Sequence, residues 1–258
     1  MTDDINEHAL IQRLRESVQQ ANTDLADLEL AAKTISAYPE DVLTLFDAYL
    51  SRDSLLDALV NRSYQHPNGF AKFVLYDGTA LPFRLRLHVW PGNAWQRASQ
   101  EEQNIHGHRW NFGSAVIAGS GLRVDEYVVT ESGGEPHTSY RYRPSARAHG
   151  RTEDIAPELP SDERELKAVG TALLTRCRDY LLTSGDSYTC GIETLHTVKS
   201  MNAGLTATLV AQGPALMQAA QVFRRPDQPY QSPAIPIGKA EVARILSATM
   251  RAIRVQER

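Results

Sequence analysis

Ile105-His106-Gly107-His108-Arg109-Trp110-Asn111-Phe112-Gly113 is the stretch on which the reading of this chain turns. On an extended strand side chains alternate faces, so His106, His108 and Trp110 share one face while Gly107, Arg109 and Asn111 take the other. Two imidazoles side by side can occupy two positions on one metal ion. A third from a distant strand would close a three-nitrogen face and leave positions open to water, substrate or oxygen. An open site of that kind does chemistry, whereas a closed four-ligand site mainly holds a fold together. His196 is the candidate third ligand, because Gly185-Asp186-Ser187-Tyr188-Thr189-Cys190-Gly191 is turn-rich and would bring its strand back into the sheet. Neutral imidazoles suit Fe, Zn, Ni and Cu alike. Read by themselves, the same letters would also serve as separate core or surface histidines.

Outward from that stretch, short strand-like segments alternate with turn signals. Phe70 to Tyr76 is rich in β-formers, Asp77-Gly78 marks a turn, and Phe83-Arg84-Leu85-Arg86-Leu87-His88-Val89-Trp90 alternates cleanly. Ala115 to Ala118, Leu122 to Thr130, Thr138 to Arg143, Arg178 to Thr183, Ser187 to Cys190, His196 to Lys199 and Leu205 to Val210 read as further strands. Gly119-Ser120-Gly121 and Ser132-Gly133-Gly134 separate some of them, a pattern that predicts a closed or sandwiched antiparallel sheet. Residues 144 to 165, rich in Pro, Arg and acidic residues, read as a surface excursion. Residues 7 to 60 read as helices: Leu10, Leu14 and Val18 form a stripe, Asp41 begins a helix after Pro39-Glu40, and Ser51 to Ser54 opens another. A last helix fits Lys239 to Val255, with Val242, Ile245 and Leu246 on its buried face. The expected organisation is a helical extension over 1–65 packed on a β domain with a terminal helix over 66–258.

A chain of 258 residues with 42% hydrophobic content can bury one large core. A net charge of -4 argues against nucleic acid, which needs a basic surface to release counterions. No apolar run is long enough to span a bilayer, so no membrane role is expected. Met1-Thr2-Asp3-Asp4 lacks the basic-then-apolar order of a secretion signal. Two cysteines, Cys177 and Cys190, make no disulfide framework, and a cytoplasmic location is expected. Of the 27 Lys and Arg only 5 are Lys; Arg favours bidentate contacts with carboxylates and phosphates, and biased genomic composition gives the same excess.

The histidine segments resemble the two motifs of the cupin superfamily. The first family motif is His-x-His, then a Glu four or five positions on, then a Gly. Here Phe112 or Gly113 stands at the Glu position and Gly119 fits the trailing Gly. In the second motif Gly185 and His196 fall in register, while Gly191 replaces a Pro, Glu193 a Gly and Ser200 an Asn. Absence of the Glu is similar to the three-histidine branch, in which thiol dioxygenases such as cysteine dioxygenase bind ferrous iron. The resemblance spans about 70 to 215. It implies a mostly β fold: a cupin double-stranded β-helix, or jelly-roll, barrel flanked by N-terminal helices and a C-terminal helix. It also implies Fe2+ held by His106, His108 and His196, with Lys72 close to the place of the family's substrate-carboxylate arginine. Where those dioxygenases carry Ser-x-His-x-Tyr, this chain reads Leu205-Thr206-Ala207-Thr208-Leu209-Val210-Ala211, with no His and no Tyr. Ordinary cysteine oxidation is therefore not expected.

Further candidates surround the site. Arg84, Arg86 and His88 share one strand face, which either looks into a polar cavity and binds an anion or pairs with acids on a neighbouring strand. His88 could be a fourth imidazole near the metal, an outer hydrogen-bond donor or a satisfied core histidine. Glu193 could orient an imidazole, act as a base or lie in an exposed turn. Tyr127 and Tyr140 could each offer a phenol to bound oxygen, although nothing singles them out among ten tyrosines. Trp110, on the histidine face, is a candidate substrate contact, and His137 reads as a loop residue. Together these residues lead to the expectation of a mononuclear Fe(II) oxygenase acting on a small anionic, amino-acid-like or thiol-containing metabolite and O2. The rivals are a non-redox metal-dependent isomerase, decarboxylase or lyase, and a non-catalytic small-molecule binder. A homodimer is left open.

Overall fold

A computed structural model describes residues 3–18, 24–66, 68–78, 83–92, 104–142, 166–201, 204–226 and 235–256. The excursion expected over 144–165 lies outside the described residues. Five helices lead: α1 (Asp3–Asn6), α2 (Ala9–Ser17), α3 (Leu25–Ala37), α4 (Pro39–Ser51) and α5 (Asp53–Val60). The strands are β1 (Tyr64–His66), β2 (Phe70–Asp77), β3 (Arg84–Trp90), β4 (Ile105–His106), β5 (Phe112–Gly119), β6 (Leu122–Thr130) and β7 (Glu135–Tyr142). They continue as β8 (Leu166–Leu182), β9 (Ser187–Cys190), β10 (Leu195–Ser200), β11 (Thr206–Gln212), β12 (Ala220–Arg224) and β13 (Ile235–Pro236), and helix α6 (Lys239–Gln256) follows. Helix starts follow local chemistry. The Asp24 carboxylate accepts from the Asp27 amide at 2.9 Å to cap α3. Pro39 takes the first turn of α4, where its missing N–H costs nothing, so that helix starts two residues before the expected Asp41.

Seven strands form one antiparallel sheet in the order β13-β1-β2-β3-β11-β5-β9. One face carries Phe73, Leu75, Leu85, Leu87, Val89, Ala115, Ile117, Ala207 and Leu209, in one core with Leu10, Leu28, Ile35, Phe46 and Leu246 of the helices. Helix α3 lies directly on β5. A Cβ on Gly113 would stand 1.9 Å from the Leu28 carbonyl oxygen, so only a residue without a side chain fits there. Gly119 ends β5 at φ +100°, with no room for a Cβ beside the Leu205 carbonyl. Alternation along the same strands sends Lys72, Arg84, Arg86, His88, Trp90, Phe112, Thr208 and Val210 to the opposite face. That face meets the second sheet, where Phe70, Trp90 and Val116 pack on Leu122, Val124, Leu182 and Val198.

The second sheet pairs β10-β4-β12-β7-β8-β6, with β10 also pairing β6, in a ring of its own. Its far side carries a small apolar cluster of Ile105, Leu174, Leu195 and Phe223.

This overturns the expected cupin jelly-roll barrel. The fold is mixed α/β, with helices at both ends and two sheets that do not close into a barrel with one another. The seven-stranded sheet stays open, with β13 and β9 at its edges. The physical reason is its apolar outer face, which is buried under helices and so becomes the middle layer of the molecule. Other expectations shift in extent. Strand β8 starts at Leu166 rather than Arg178, β4 stops at His106, β1 and β13 carry too short a pattern to read, and β12 (Ala220–Arg224) was not expected. Among the described residues no helix is long and apolar enough to cross a membrane.

Candidate metal centre

His106 and His196 are direct cross-strand partners, joined by the single register pair between β4 and β10. Cross-strand partners place their side chains on one face, so two imidazoles meet without any loop being asked to position them. The extended run expected through His108 and Trp110 is not formed, because β4 ends at His106. Backbone bonds from another segment hold the next residues instead. Gly107 N–H donates to Gln221 at 2.9 Å, Leu216 N–H to Arg109 at 2.7 Å and Gly213 N–H to Asn111 at 2.9 Å. His108 still arrives beside the pair. The three ring centroids are 4.8 Å apart for His106–His196 and 5.0 Å for each pair with His108.

One nitrogen from each ring lies within 4.8 Å of the other two, and among the described residues this is the group able to hold a metal ion. The Nε2 atoms of His108 and His196 are 3.4 Å apart. Two nitrogens each roughly 2.1 Å from one ion stand about 3.0–3.4 Å apart, so the spacing fits a shared ion. Tautomers agree with this. The Nδ1 of His106 lies 3.0 Å from the Asn104 carbonyl, which can only accept, so Nδ1 carries the proton and Nε2 presents a lone pair. The Nδ1 of His196 faces the Thr194 backbone and, at 3.4 Å, the Cys190 sulfur. Burial drives the His196 pKa down to about 3, helped by His106. Burial also holds His106 below its ordinary value, and His108 well below it, with His196, His106, Lys72 and Arg86 adding to the latter shift. All three imidazoles are thus neutral ligands at neutral pH, as metal binding requires.

Of the two residues at the spacing of the cupin motif's Glu, Phe112 faces the histidines and Gly113 faces α3. The Phe112 ring is edge-on to His108 at 4.9 Å and 6.1 Å from His196. An apolar ring therefore fills the place a fourth, charged ligand would take.

A cationic wall stands on the facing sheet. Lys72 is the cross-strand partner of His88, and both Lys72 and Arg86 act electrostatically on His88 and His108. The Trp110 ring carries two guanidinium groups over it, Arg86 at 5.0 Å and Arg109 at 5.1 Å, and lies 5.8 Å from the His108 ring. His88 is outside the ligand group. Burial first, then Lys72, Arg86 and His66, hold its pKa well below normal, and its buried Nε2 has no hydrogen-bond partner among the described residues. Arg84 follows the structural alternative and pairs with Asp77 at 2.7 Å across the β2–β3 hairpin.

The remaining candidates are not brought together with the histidines. Glu193 occupies an exposed turn. Tyr127 is the partner of Leu195, so it shares that residue's face and packs with the small apolar cluster away from His196. Tyr140 shares the His106 face through Val222, two strands away. His137 is buried on β7, not in a loop, with Nδ1 2.9 Å from the Glu135 carbonyl. Several contributors had no sequence signal: Asn104 acts through its backbone carbonyl, and Cys190 through a contact made only in the fold. The Asn111 Oδ1 accepts from Ile192 N–H at 3.0 Å and so ties the His106 segment to the turn that leads into His196. The inward side of Phe112 could have been read from strand alternation once β5 was started at Phe112.

No protein-family model and no curated protein matches the chain. Among solved structures it is similar to hydroxypropylphosphonic acid epoxidase from S. wedmorenis at 10% identity, over 80% of this chain and 97% of that one, with a TM-score of 0.29. The Fe(II) form of HppE gives 10% identity over 80% and 98%, with a TM-score of 0.28. Hydroquinone 1,2-dioxygenase from Sphingomonas sp. TTNP3, with 4-hydroxybenzoate bound, gives 7% identity over 55% of this chain and 65% of that one, just under two-thirds of its length, with a TM-score of 0.25. Overlaps this loose carry no argument about fold or chemistry. What stands is the site itself, three converging neutral imidazoles fit to hold one transition-metal ion.

Proposed function

We propose that this chain is a mononuclear non-heme Fe(II) oxygenase acting on a small anionic metabolite of amino-acid-like or thiol-bearing type. The observation that carries the reading is the neutral triad set against a cationic wall. Bound ferrous iron would supply a Lewis-acidic, redox-active centre for O2 and substrate. His106, His108 and His196 would hold it through Nε2 and contribute no charge, so an anionic substrate group is favoured as the neutralising partner. Arg86 and Lys72 would hold the substrate's remote anionic end, with Trp110 keeping the Arg86 guanidinium in place. Neutral His88 would accept or donate one hydrogen bond through its buried Nε2. Phe112 would present an apolar ring beside the bound ion, and the substrate's anionic end would lie toward Lys72 and Arg86.

The deciding experiment is anaerobic reconstitution with Fe(II), followed by oxygen uptake with a panel of small thiols, amino acids and hydroxy acids. Substrate-dependent uptake with iron, abolished when zinc replaces it, is expected. Metal-dependent turnover without oxygen would favour a non-redox lyase or isomerase. Ligand binding without any turnover would make the protein a binder.

A further inference from the structure

A line of oxidisable and proton-accepting side chains runs from a metal-binding histidine to the surface. It begins at Cys190, whose sulfur is 3.4 Å from Nδ1 of His196. Tyr188 follows two residues earlier on β9, on the same strand face. The Phe112 ring bridges the same gap, 6.1 Å from His196 and 5.8 Å from Tyr188. Tyr188 and Tyr180 stand 6.4 Å apart, ring to ring. Tyr180 then donates its phenolic hydrogen to Glu126 Oε1 at 3.1 Å, beside the exposed Arg178. Glu126 sits in β6 directly across from His196, so the line both starts and ends on that pair of strands.

We infer that this line is a relay that drains oxidising equivalents from the metal centre to Tyr180 when oxygen is activated without substrate. The inference rests on the iron-oxygenase reading above. A phenol yields an electron readily only when its proton has an acceptor at hand. Tyr188 packs on Phe112, Cys190 and Val210 and has the Ser114 hydroxyl beside it rather than a carboxylate, so it lies on the electron's path without keeping the hole. Tyr180 has a carboxylate within hydrogen-bond distance, so the hole comes to rest there.

Bound iron would supply the electron acceptor, with peroxide or dioxygen as the oxidant. One electron originates at the Tyr180 phenol and travels by way of Tyr188. The phenolic O–H bond breaks, and its proton moves to Glu126, leaving a neutral phenoxyl at Tyr180 and a protonated Glu126, with the oxidant reduced by one electron. Without such an outlet, the nearest oxidisable groups are the ligand imidazoles and the Cys190 thiol, whose loss would destroy the site.

The test uses the full chain loaded with Fe(II), its iron content measured, treated with hydrogen peroxide in the absence of substrate and frozen for electron paramagnetic resonance. Wild type is expected to show a tyrosyl radical, and peptide mass spectrometry to find oxygen added at Tyr180. Tyr180→Phe removes only a hydroxyl and should lose the radical. Glu126→Gln should weaken it while leaving iron content unchanged, and Tyr38→Phe, at the joint between α3 and α4, should leave it intact. Zinc-loaded protein should give none. An undiminished radical in Tyr180→Phe, or no radical in iron-loaded wild type, would overturn the relay alone. Failure to bind iron would overturn the oxygenase reading and the relay with it.

Discussion

Leu85, Leu87 and Val89 point from β3 into the helices, while Arg84, Arg86 and His88 point from the same strand toward the second sheet. The next strand but one repeats the division with Ala115 and Ile117 against Phe112 and Ser114. A shift of one residue thus separates packing from chemistry. Substitutions on the helix side should change stability and leave the site unaltered, and those on the inner side should do the reverse.

Neighbours on β5 offer the hardest test of this division. Gly113→Glu should prevent folding, because even a Cβ there collides with the α3 backbone. Phe112→Glu places the same carboxylate toward the histidines and should fold and bind divalent metal more tightly than wild type. Circular dichroism and metal titration of both variants decide this; a well-folded Gly113→Glu protein would break the comparison. Next in size is the pair His196→Ala and Leu87→Ala. The first should weaken metal binding by more than the roughly 10–100-fold that losing an outer hydrogen-bond partner costs. The second should lower unfolding free energy by about 2–5 kcal/mol and leave metal affinity where it was. Chemical denaturation and competition with a chelator measure the two effects.

Acid should separate the faces as well. His88, His106, His108 and His196 are all held below the ordinary imidazole value in the folded chain, chiefly by burial. As pH falls below about 6.5 the unfolded chain takes up protons that the folded chain refuses, so stability drops. The slope is roughly 1.4 kcal/mol per pH unit for each imidazole that stays neutral in the fold. Metal-free protein should therefore lose stability steeply between about pH 6 and pH 4, and replacing His88 with Phe should flatten the curve. A melting temperature constant over that interval would show that these imidazoles protonate in place.

The smallest expected effect belongs to Arg86. Arg86→Lys keeps charge but loses the paired geometry, and should raise KM for the true substrate more than it lowers iron content. Arg86→Met should be worse in KM. If Arg86 only braces the sheet, both variants will melt earlier and bind substrate as before.

The His106–His196 pair was legible because a strand returning after a turn-rich stretch is a property of short stretches, whereas His108 reaches the pair although the strand expected to carry it stops at His106. Strand β6 falls at the expected Leu122–Thr130 for the same reason. The architecture was not, because Leu85, Leu87 and Val89 look the same whether they fill a barrel or lie under helices. The strands missed are mostly short, β13 with two residues and β1 with three, while β4 was expected but stops after two. The first half of β8, Leu-Lys-Ala-Val-Gly-Thr-Ala-Leu-Leu, has no clean alternation to mark it. Glu193 shows the converse limit. Its charge and its nearness to His196 in sequence suggested chemistry, yet the turn carries it into solvent.

The collision between position 113 and helix α3 also constrains the history open to this site. A glycine codon can become a glutamate codon by changing one base, but position 113 faces helix α3 rather than the histidines, and the helix backbone leaves no room there for any side chain. Position 112 faces the metal site, but a phenylalanine codon must change at all three bases to encode glutamate. With α3 settled on that glycine, a change of substrate contacts is far more accessible to this site than the gain of a negatively charged ligand.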